Sequence, residues 1–279
     1  MVERPPPDLT VAKARKSLGQ HFLFDPDILM RTALAAGPVA GRTVIEVGPG
    51  PGGLTRALLD QGAARVIAVE ADARFAEALE TWPDAKSGRL IVHQGDARKV
   101  NWEDLVRDAG GTEAAMIVAN LPYNVGTPLL ITWLKAGAWR REMALMFQKE
   151  VALRICASPG EAHYGRLAVL TAAVAEAHIA FTLPPGAFRP PPKVDSAVAV
   201  LSPLAPDRRF GDLATLEAVT AAAFGQRRKM IRSSLKRLAN ERGRSVGDWL
   251  AMADLAPEAR AETIDQAGWR RLARAVAEA

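Results

Sequence analysis

The segment Thr43-Val-Ile-Glu-Val-Gly-Pro-Gly-Pro-Gly-Gly53 is the clearest indication of the fold class of this chain. A short β-rich run leads directly into a glycine-rich loop, and a helical pattern begins near Leu54. Glycine permits a tight turn and lets a ligand approach the backbone closely. A strand, a glycine loop and a helix in this order are typical of the nucleotide-binding half of an open α/β sheet.

Around this stretch, β-rich runs alternate with helical patterns. Alternation of this kind predicts an α/β fold with a parallel, doubly wound, Rossmann-like sheet. After residue 150 a helix running into a strand (165–181) and a further strand (196–203) would close the sheet. The earlier strands are predicted at 43–47, 65–70, 90–94, 115–119 and 142–148, with helices at 26–36, 54–61 and 73–80.

Beyond Pro203 the strand pattern stops and only amphipathic helical patterns follow. Their approximate spans are 213–224, 227–240, 246–253 and 264–277. We therefore predict two domains, an α/β domain over residues 1–204 and a small all-helical domain over 205–279. The polar, proline-containing start, about 1–16, is expected to be a flexible arm.

The composition of the 279 residues is that of an ordinary globular protein, with 49% hydrophobic and 24% charged residues. No apolar run is long enough to span a membrane, so no membrane partner is expected. The single cysteine, Cys156, excludes an internal disulfide, and the four histidines lack paired metal-ligand spacing. These features predict a cytoplasmic protein without a metal. The net charge of +5 suits a polyanionic partner.

The glycine loop has two interpretations. Gly48, Gly50 and Gly53 fit the G-x-G-x-x-G pattern of dinucleotide-binding proteins, and Glu70, after the next strand, could hold ribose hydroxyls. Glu46 favours S-adenosylmethionine instead, because a carboxylate suits a sulfonium and an ammonium better than a pyrophosphate. Asp96, in Gly95-Asp-Ala97, could accept from an adenine amine. Each acid could otherwise be an ordinary cap or turn residue.

The tetrapeptide Asn120-Leu-Pro-Tyr123 follows the fourth predicted strand, where open α/β folds bind their ligands. An adenine N6 amine is a poor nucleophile because its lone pair is delocalised into the ring. The Asn120 side-chain oxygen and the Pro122 carbonyl could accept the N6 hydrogens and stabilise the developing positive charge. Tyr123 could stack on a base that leaves its helix. The alternative is that the tetrapeptide is a simple turn. DNA adenine methyltransferases are similar here but usually carry Asp-Pro-Pro-Tyr, so Asn120 favours an RNA substrate.

These motifs resemble those of the ribosomal RNA adenine dimethyltransferase family, and most closely its small-subunit (16S) branch. The resemblance covers nearly the whole chain. It implies dimethylation of two adjacent adenosines near the 3′ end of the rRNA in a pre-30S particle, with S-adenosylmethionine as cofactor. The matching stretches are Lys16-Ser-Leu-Gly-Gln-His-Phe-Leu23, Glu46-Val-Gly-Pro-Gly50, Asn120-Leu-Pro-Tyr-Asn124, Gln148-Lys-Glu-Val151, Tyr164-Gly-Arg-Leu167, Phe188-Arg-Pro-Pro-Pro-Lys-Val-Asp-Ser196 and Phe224-Gly-Gln-Arg-Arg-Lys229.

The resemblance also implies which residues form the site. Asn120, Pro122, Tyr123 and Phe188 would surround the target adenine, although Phe188 could instead be a buried aromatic in a proline-rich turn. His21 departs from the family, which usually has Asn there, so His21 either contacts the cofactor or only packs between the arm and the sheet. The cofactor site would comprise Gln20, His21, Leu23, Glu46, Gly48, Gly50, Glu70, Asp96, Ala97 and Asn120.

A basic segment extends from Phe224 to Arg244. On a helical wheel its apolar residues share one face and several cations share a flank, which favours phosphate contacts over a merely solvated face. The segment contains eight cations (Arg227, Arg228, Lys229, Arg232, Lys236, Arg237, Arg242, Arg244) and one acid, Glu241. We predict RNA docking by Arg227, Arg228, Lys229, Arg232 and Lys236.

Three other functions stay open at this point. A large-subunit dimethyltransferase shares the Asn-Leu-Pro-Tyr chemistry, but the matches at 188–196 and 224–229 favour the small-subunit branch. An assembly factor could bind the immature subunit with methylation secondary. A nicotinamide dehydrogenase is the third alternative, but no hydride-acceptor site is evident. A monomer is expected, since no pattern indicates a dimer interface.

Overall fold

The computed structural model describes residue 15 and residues 19–110, 114–137, 139–226 and 228–278. The β-rich runs of the sequence form strands with bounds close to those predicted. The strands are β1 (Phe22–Leu23), β2 (Thr43–Val47), β3 (Arg65–Glu70), β4 (Leu90–Gln94), β5 (Ala115–Asn120), β6 (Arg140–Gln148), β7 (Ala175–Leu183), β8 (Phe188–Arg189) and β9 (Ser196–Pro203).

Helices connect most of these strands, and several begin at a side-chain cap. Asp25 accepts from the backbone amides of Asp27 and Ile28, and Asp72 accepts from that of Arg74, so each fixes the start of the helix that follows. The α-helices are α1 (Pro26–Leu34), α2 (Gly53–Asp60), α3 (Ala73–Glu80), α4 (Pro83–Lys86), α5 (Trp102–Asp108), α6 (Gly126–Leu134), α7 (Lys149–Cys156), α8 (Arg166–Ala172), α9 (Leu213–Phe224), α10 (Ile231–Ser234), α11 (Lys236–Glu241), α12 (Val246–Met252) and α13 (Gln266–Glu278).

The central sheet has seven strands in the order β4-β3-β2-β5-β6-β9-β7. β2 pairs in parallel with both β3 and β5, and its side chains are almost completely buried because helices cover the sheet. The predicted α/β sheet is therefore confirmed. It is mixed rather than wholly parallel, because β9 runs antiparallel to β6. The segment between β7 and β9 contains no crossover helix, which a parallel return would require.

A second, two-stranded sheet lies outside the central one. β1 and β8 pair antiparallel, with Phe22 opposite Arg189 and Leu23 opposite Phe188. This pairing holds the residues before α1 against the turn that leads into β9. Neither strand is visible as a pattern in the sequence, because two residues are too short to show a period.

The chain divides into two compact units. The first comprises the described residues up to Ala152 together with His178–Ser202, and the second comprises Leu153–Ala177 together with Pro203–Ala279. The predicted boundary after residue 204 coincides with one edge of this division. The second unit also takes in the segment around α8, which the sequence prediction assigned to the α/β domain.

The second unit is helical: α13 packs against α9 and α12, and the indoles of Trp249 on α12 and Trp269 on α13 are buried. The helix predicted at 227–240 is confirmed in part: the helical stretch begins only at Ile231 and is divided into α10 and α11. Met230 is extended and forms an isolated β-bridge with Arg260, so the helix cannot start earlier. In the described part of the chain, no helix is long and apolar enough to cross a membrane.

Candidate active site

A cavity of about 230 Å³ opens in the first unit at the carboxyl ends of β2, β3, β4 and β5. This is the edge at which open α/β sheets bind their ligands. Apart from Phe188, every residue predicted for cofactor or base binding lines it: Gln20, His21, Leu23, Glu46, Gly48, Gly50, Glu70, Asp96, Ala97, Asn120, Pro122 and Tyr123. The structure thus brings together residues from separate stretches of the sequence.

The glycine loop forms the wall between β2 and α2. Gly48 and Gly50 have φ angles of +71° and +52°, which side chains other than glycine rarely adopt. A Cβ at Gly50 would lie 2.6 Å from Cε1 of Phe22, and one at Gly48 would lie 3.3 Å from Cδ of Pro122. Both positions therefore require glycine, because a methyl group would collide with Phe22 or crowd Pro122.

Glu70 fixes the loop from the end of β3. Its Oε2 accepts from the backbone amide of Gly50 at 2.9 Å, and its Oε1 accepts from that of Asp72 at 2.8 Å. Burial raises the pKa of this carboxyl, while the two amide hydrogen bonds act to lower it. The carboxyl group is thus held in one orientation at the cavity wall.

Glu46 is the second buried acid of the cavity, and its side chain accepts from the Thr55 hydroxyl at 2.6 Å. Burial raises the pKa of Glu46 to about 8, against an opposing contribution from the Thr55 hydrogen bond. A neutral carboxyl at this position can become a carboxylate when a cation binds beside it.

The pKa of Glu46 predicts how stability changes with pH. Between its usual 4.5 and about 8, the folded protein holds a proton that the unfolded chain has lost. The free energy of unfolding therefore decreases as pH rises through this window, by on the order of a few kcal/mol. Glu46→Gln should flatten this decrease in urea unfolding series at about pH 5 and about pH 8. The exposed Glu80→Gln should leave the slope as in the wild type, and an unaltered slope in Glu46→Gln would refute the assignment.

Asn120 ends β5, and a hydrogen bond sets the orientation of its amide. Nδ2 donates to the backbone carbonyl of His21 at 2.9 Å. Only the amide nitrogen can donate to a carbonyl, so Oδ1 is the atom left to accept from a ligand. The imidazole of His21 in turn hydrogen-bonds through Nδ1 to the carbonyl of Pro190 at 2.8 Å. His21 therefore links the Asn120 turn to the proline-rich turn.

Pro122 and Tyr123 complete the turn after Asn120. The Pro122 carbonyl already accepts from the amides of Val125 and Gly126, each at 3.1 Å, in the first turn of α6. Both of its lone pairs are thus engaged, which argues against the predicted role in accepting from a base. The Tyr123 hydroxyl lies 2.5 Å from the Ser196 hydroxyl, and its ring lies 5.3 Å from that of His21.

Residues 11–277 match the family model described as ribosomal RNA adenine dimethylase. The chain belongs to this family. A relative from Maricaulis maris (strain MCS10), named ribosomal RNA small subunit methyltransferase A, is 51% identical over 263 residues, covering 94% of this chain and 90% of the relative. A relative of the same name from Caulobacter vibrioides is 53% identical over 262 residues, covering 94% of this chain and 97% of the relative.

Solved structures of similar fold agree with the family assignment. A dimethyladenosine transferase from Plasmodium falciparum superposes with a TM-score of 0.73 at 24% identity, covering 90% of this chain and 96% of that one. The 23S rRNA methyltransferase ErmE superposes with a TM-score of 0.66 at 25% identity, covering 92% and 99%. At these identities the likeness concerns the fold.

In this member of the dimethylase family, Phe188 is part of the core. Its side chain is 2% exposed, packs within the hydrophobic cluster of the first unit and does not line the cavity. The alternative interpretation, a buried aromatic residue in a proline-rich turn, describes its observed environment. Stacking of Phe188 on a target base stays a prediction, and it requires the ring to gain an exposed face.

Asp96 combines the two roles that the sequence left open. Its carboxylate caps the turn Ala97–Lys99 by accepting from the backbone amide of Arg98 at 2.9 Å, and it also lines the cavity. The Arg98 side chain lies 2.7 Å away and lowers the pKa of Asp96 to about 2. The Arg98 side chain is more than half exposed, so solvent screens this pair and the arginine can be displaced.

Sequence reasoning missed several residues that line this cavity or support its wall. Phe22 limits the space at Gly50, and Leu121 lines the cavity between Asn120 and Pro122. Buried Asp72 accepts from Nε2 of Gln20 at 3.4 Å, which anchors the segment before β1. An acid two residues after Glu70 is the one signal that could have identified Asp72. Leu121 lies inside the motif, but an apolar side chain carries no signal that it lines a cavity.

The basic segment lies in the second unit. Arg228, Lys229, Arg232 and Lys236 are all exposed, and Arg232 forms an ion pair with Glu258 at 3.1 Å. These four cations were expected on one flank of a single helix, but they lie in a turn before α10 and in the two short helices α10 and α11. Arg227 lies outside the described residues. Among those that the structure describes, no group of three or more histidine, cysteine or acidic side chains could hold a metal.

Proposed function

We propose that this chain uses S-adenosylmethionine to dimethylate the N6 atoms of two adjacent adenosines near the 3′ end of 16S rRNA, in an assembling small subunit. One observation carries the proposal. The Asn120 amide is oriented at a cavity that it shares with the glycine loop and Glu70, in a chain of the dimethylase family. The 51–53% identity to small-subunit methyltransferases supports the choice of substrate.

The residues that line the cavity fit S-adenosylmethionine. When bound, this cofactor supplies a methyl group activated by a sulfonium. The glycine loop lines the cavity at Gly48 and Gly50, and Glu70 at the end of β3 is suited to ribose hydroxyls. Asp96 accepts from the adenine amine of the cofactor once the Arg98 side chain is displaced. Glu46 loses its proton and so compensates the positive charge of the cofactor.

Asn120 prepares the nucleophile. Its Oδ1 accepts one hydrogen of the adenine N6 amine, which favours a tetrahedral nitrogen with its lone pair directed away from the ring. We assign the second acceptor to the Leu121 carbonyl, since the Pro122 carbonyl is already engaged by two amides. Both oxygens stabilise the positive charge that develops on N6 during transfer. As N6 takes the methyl group, the sulfonium becomes a neutral thioether, and the cationic N6 then releases a proton to solvent. No strong base is therefore required, and alignment of the two reactants supplies much of the acceleration.

Tyr123 holds the base. Its hydroxyl is tethered to Ser196 and its ring packs beside His21, so the phenol has little freedom. A fixed aromatic face can stack on an extruded adenine and offset the cost of leaving the RNA helix. Burial raises the pKa of Tyr123, so the phenol is neutral at physiological pH.

The basic segment docks the RNA by contacts to phosphates. The double variant Arg228→Gln/Lys229→Gln should weaken binding to small subunits and reduce the slope of log K against log salt by about 0.9 for each duplex phosphate that is no longer neutralised. Filter binding at several salt concentrations measures both. As a control, Lys86→Gln/Arg107→Gln removes two exposed cations of the first unit. Equal effects from the two double variants would mean that only net charge matters.

The activity itself is tested with small subunits from a strain that lacks this modification. Methyl incorporation from labelled S-adenosylmethionine should yield N6,N6-dimethyladenosine at two adjacent sites near the 3′ end of the 16S rRNA. Cofactor binding without incorporation would favour the assembly-factor alternative, and incorporation into large subunits would favour the ErmE-like one. Absence of cofactor binding would refute methyl transfer. We further propose that the protein is cytoplasmic and monomeric. Sedimentation of the free protein checks the oligomeric state.

A further inference from the structure

A second cavity lies within the second unit, apart from the proposed methyl-transfer site. Its volume is about 530 Å³, and α7, α8 and the start of α13 contribute to its walls. Apolar side chains such as Ile155 and Leu204 form part of the lining, and Tyr164 adds an aromatic ring. The remaining walls carry polar groups, which are Thr171, Gln266, Arg208, Arg270 and Glu176.

Thr171 differs from the other buried helical threonines, whose hydroxyls all donate a hydrogen bond. Thr32, Thr132 and Thr220 each donate their hydroxyl to the carbonyl four residues earlier, at 2.8, 3.1 and 2.7 Å. The Thr171 hydroxyl is buried and has no hydrogen-bond partner within the described part of the chain. An unsatisfied buried hydroxyl destabilises a fold unless a ligand or solvent pairs with it.

Gln266 and Arg270 present further unpaired atoms along the same cavity. Both amide atoms of Gln266 and Nε of Arg270 are buried without a partner among the residues that the structure describes. Arg270 is held in place because its Nη2 donates to the Ala173 carbonyl at 3.1 Å. One turn of α13 separates the two residues, so their side chains lie on the same face of the helix.

These atoms define what a ligand must offer. Gln266 presents a donor and an acceptor side by side, which matches the edge of a purine base, and Arg270 presents a further donor. The apolar walls and Tyr164 suit the faces of a flat ring. Arg208 and Arg270 outnumber the one acid, Glu176, so a phosphate is favoured near the base.

We propose that this cavity binds a purine nucleotide, with the base edge paired to Gln266 and Thr171 and the phosphate held by the arginines. The nucleotide can be free in solution or an unpaired residue of an RNA. The site goes beyond the proposed methyl transfer and does not depend on it.

Cys156 provides a local reporter, because the chain has a single cysteine and it lines this cavity. The rate at which methyl methanethiosulfonate modifies Cys156 is followed by mass spectrometry, with saturating S-adenosylhomocysteine present to occupy the first cavity. AMP or GMP should slow the modification more than CMP or UMP. Protection by the free nucleotides identifies a free ligand, whereas protection only by a short single-stranded RNA of all four bases identifies an RNA residue. Absence of protection by both overturns the proposal.

Matched variants separate this site from a water-filled void. Gln266→Ala should raise the nucleotide concentration needed for protection about tenfold, whereas Asn120→Ala should leave protection intact even though methyl transfer is strongly reduced. Thr171→Val should keep or raise the thermal unfolding midpoint, whereas Thr220→Val, which loses a made hydrogen bond, should lower it. If Thr171→Val lowers the midpoint as Thr220→Val does, its hydroxyl is already paired and the proposal fails.

Discussion

Asn120→Ala is expected to reduce methyl transfer about 10²- to 10³-fold, the loss typical of removing one preorganised hydrogen-bonding group from a charged transition state. The variant removes the Oδ1 acceptor that the Nδ2 bond to the His21 carbonyl orients. Single-turnover transfer to saturating small subunits measures the effect on chemistry alone. Binding of the subunits should stay within a few-fold of wild type, because the basic segment lies elsewhere.

Asn101→Ala is the matched control for Asn120→Ala. Asn101 is an exposed asparagine of the same unit that caps α5, so its loss should cost about 1 kcal/mol of stability and leave methyl transfer unchanged. Retention of the wild-type rate in Asn120→Ala would refute the proposed acceptor role. A loss of subunit binding as large as the loss of transfer would show that docking and chemistry share this residue.

Glu70→Ala should weaken binding of S-adenosylmethionine about a hundredfold or more. The carboxylate is proposed to accept from ribose hydroxyls, and hydrogen bonds to charged groups contribute about 1.5–3 kcal/mol each. The variant also frees the amides of Gly50 and Asp72, so the loop loses the group that fixes it. Titration calorimetry with S-adenosylhomocysteine provides the dissociation constant without turnover.

Glu77→Ala is the corresponding control, because this glutamate is exposed on α3, close in sequence to Glu70. Its affinity for the cofactor should equal that of the wild type. Glu70→Gln, which retains one acceptor oxygen, should fall between the two. Should Glu70→Ala fold and bind with unaltered affinity, the ribose assignment is wrong and the carboxyl serves only the loop.

The sequence was sufficient for the parallel part of the central sheet and for the location of the first cavity. Strands β2 and β3 are buried on both faces, so they show continuous β-rich runs, and the ends of such strands must meet at one edge. The glycine loop, Glu70 and Asn120 could therefore be assigned to one site from the sequence alone. Their convergence follows from sheet topology, which local sequence encodes well.

Interactions between distant segments account for what the sequence did not predict. The helix expected at 227–240 is interrupted because Met230 pairs with Arg260, a partner far along the chain. The Pro122 carbonyl accepts from two amides at the start of α6, which the tetrapeptide itself does not indicate. Phe188 packs opposite Leu23 through a two-residue strand pair that has no periodic signal. Each outcome depends on a partner that no local pattern names.

The bond between Asn120 and residue 21 has a consequence for how this site tolerates change. The acceptor is the main-chain carbonyl of His21, whereas the imidazole contacts Pro190. Any amino acid at position 21 contributes the same carbonyl, so the orientation of the Asn120 amide does not depend on which side chain stands there. Histidine can therefore replace the asparagine usual in the family at this position without altering the orientation of the Asn120 amide. The substitution changes only the side-chain contact to the proline-rich turn.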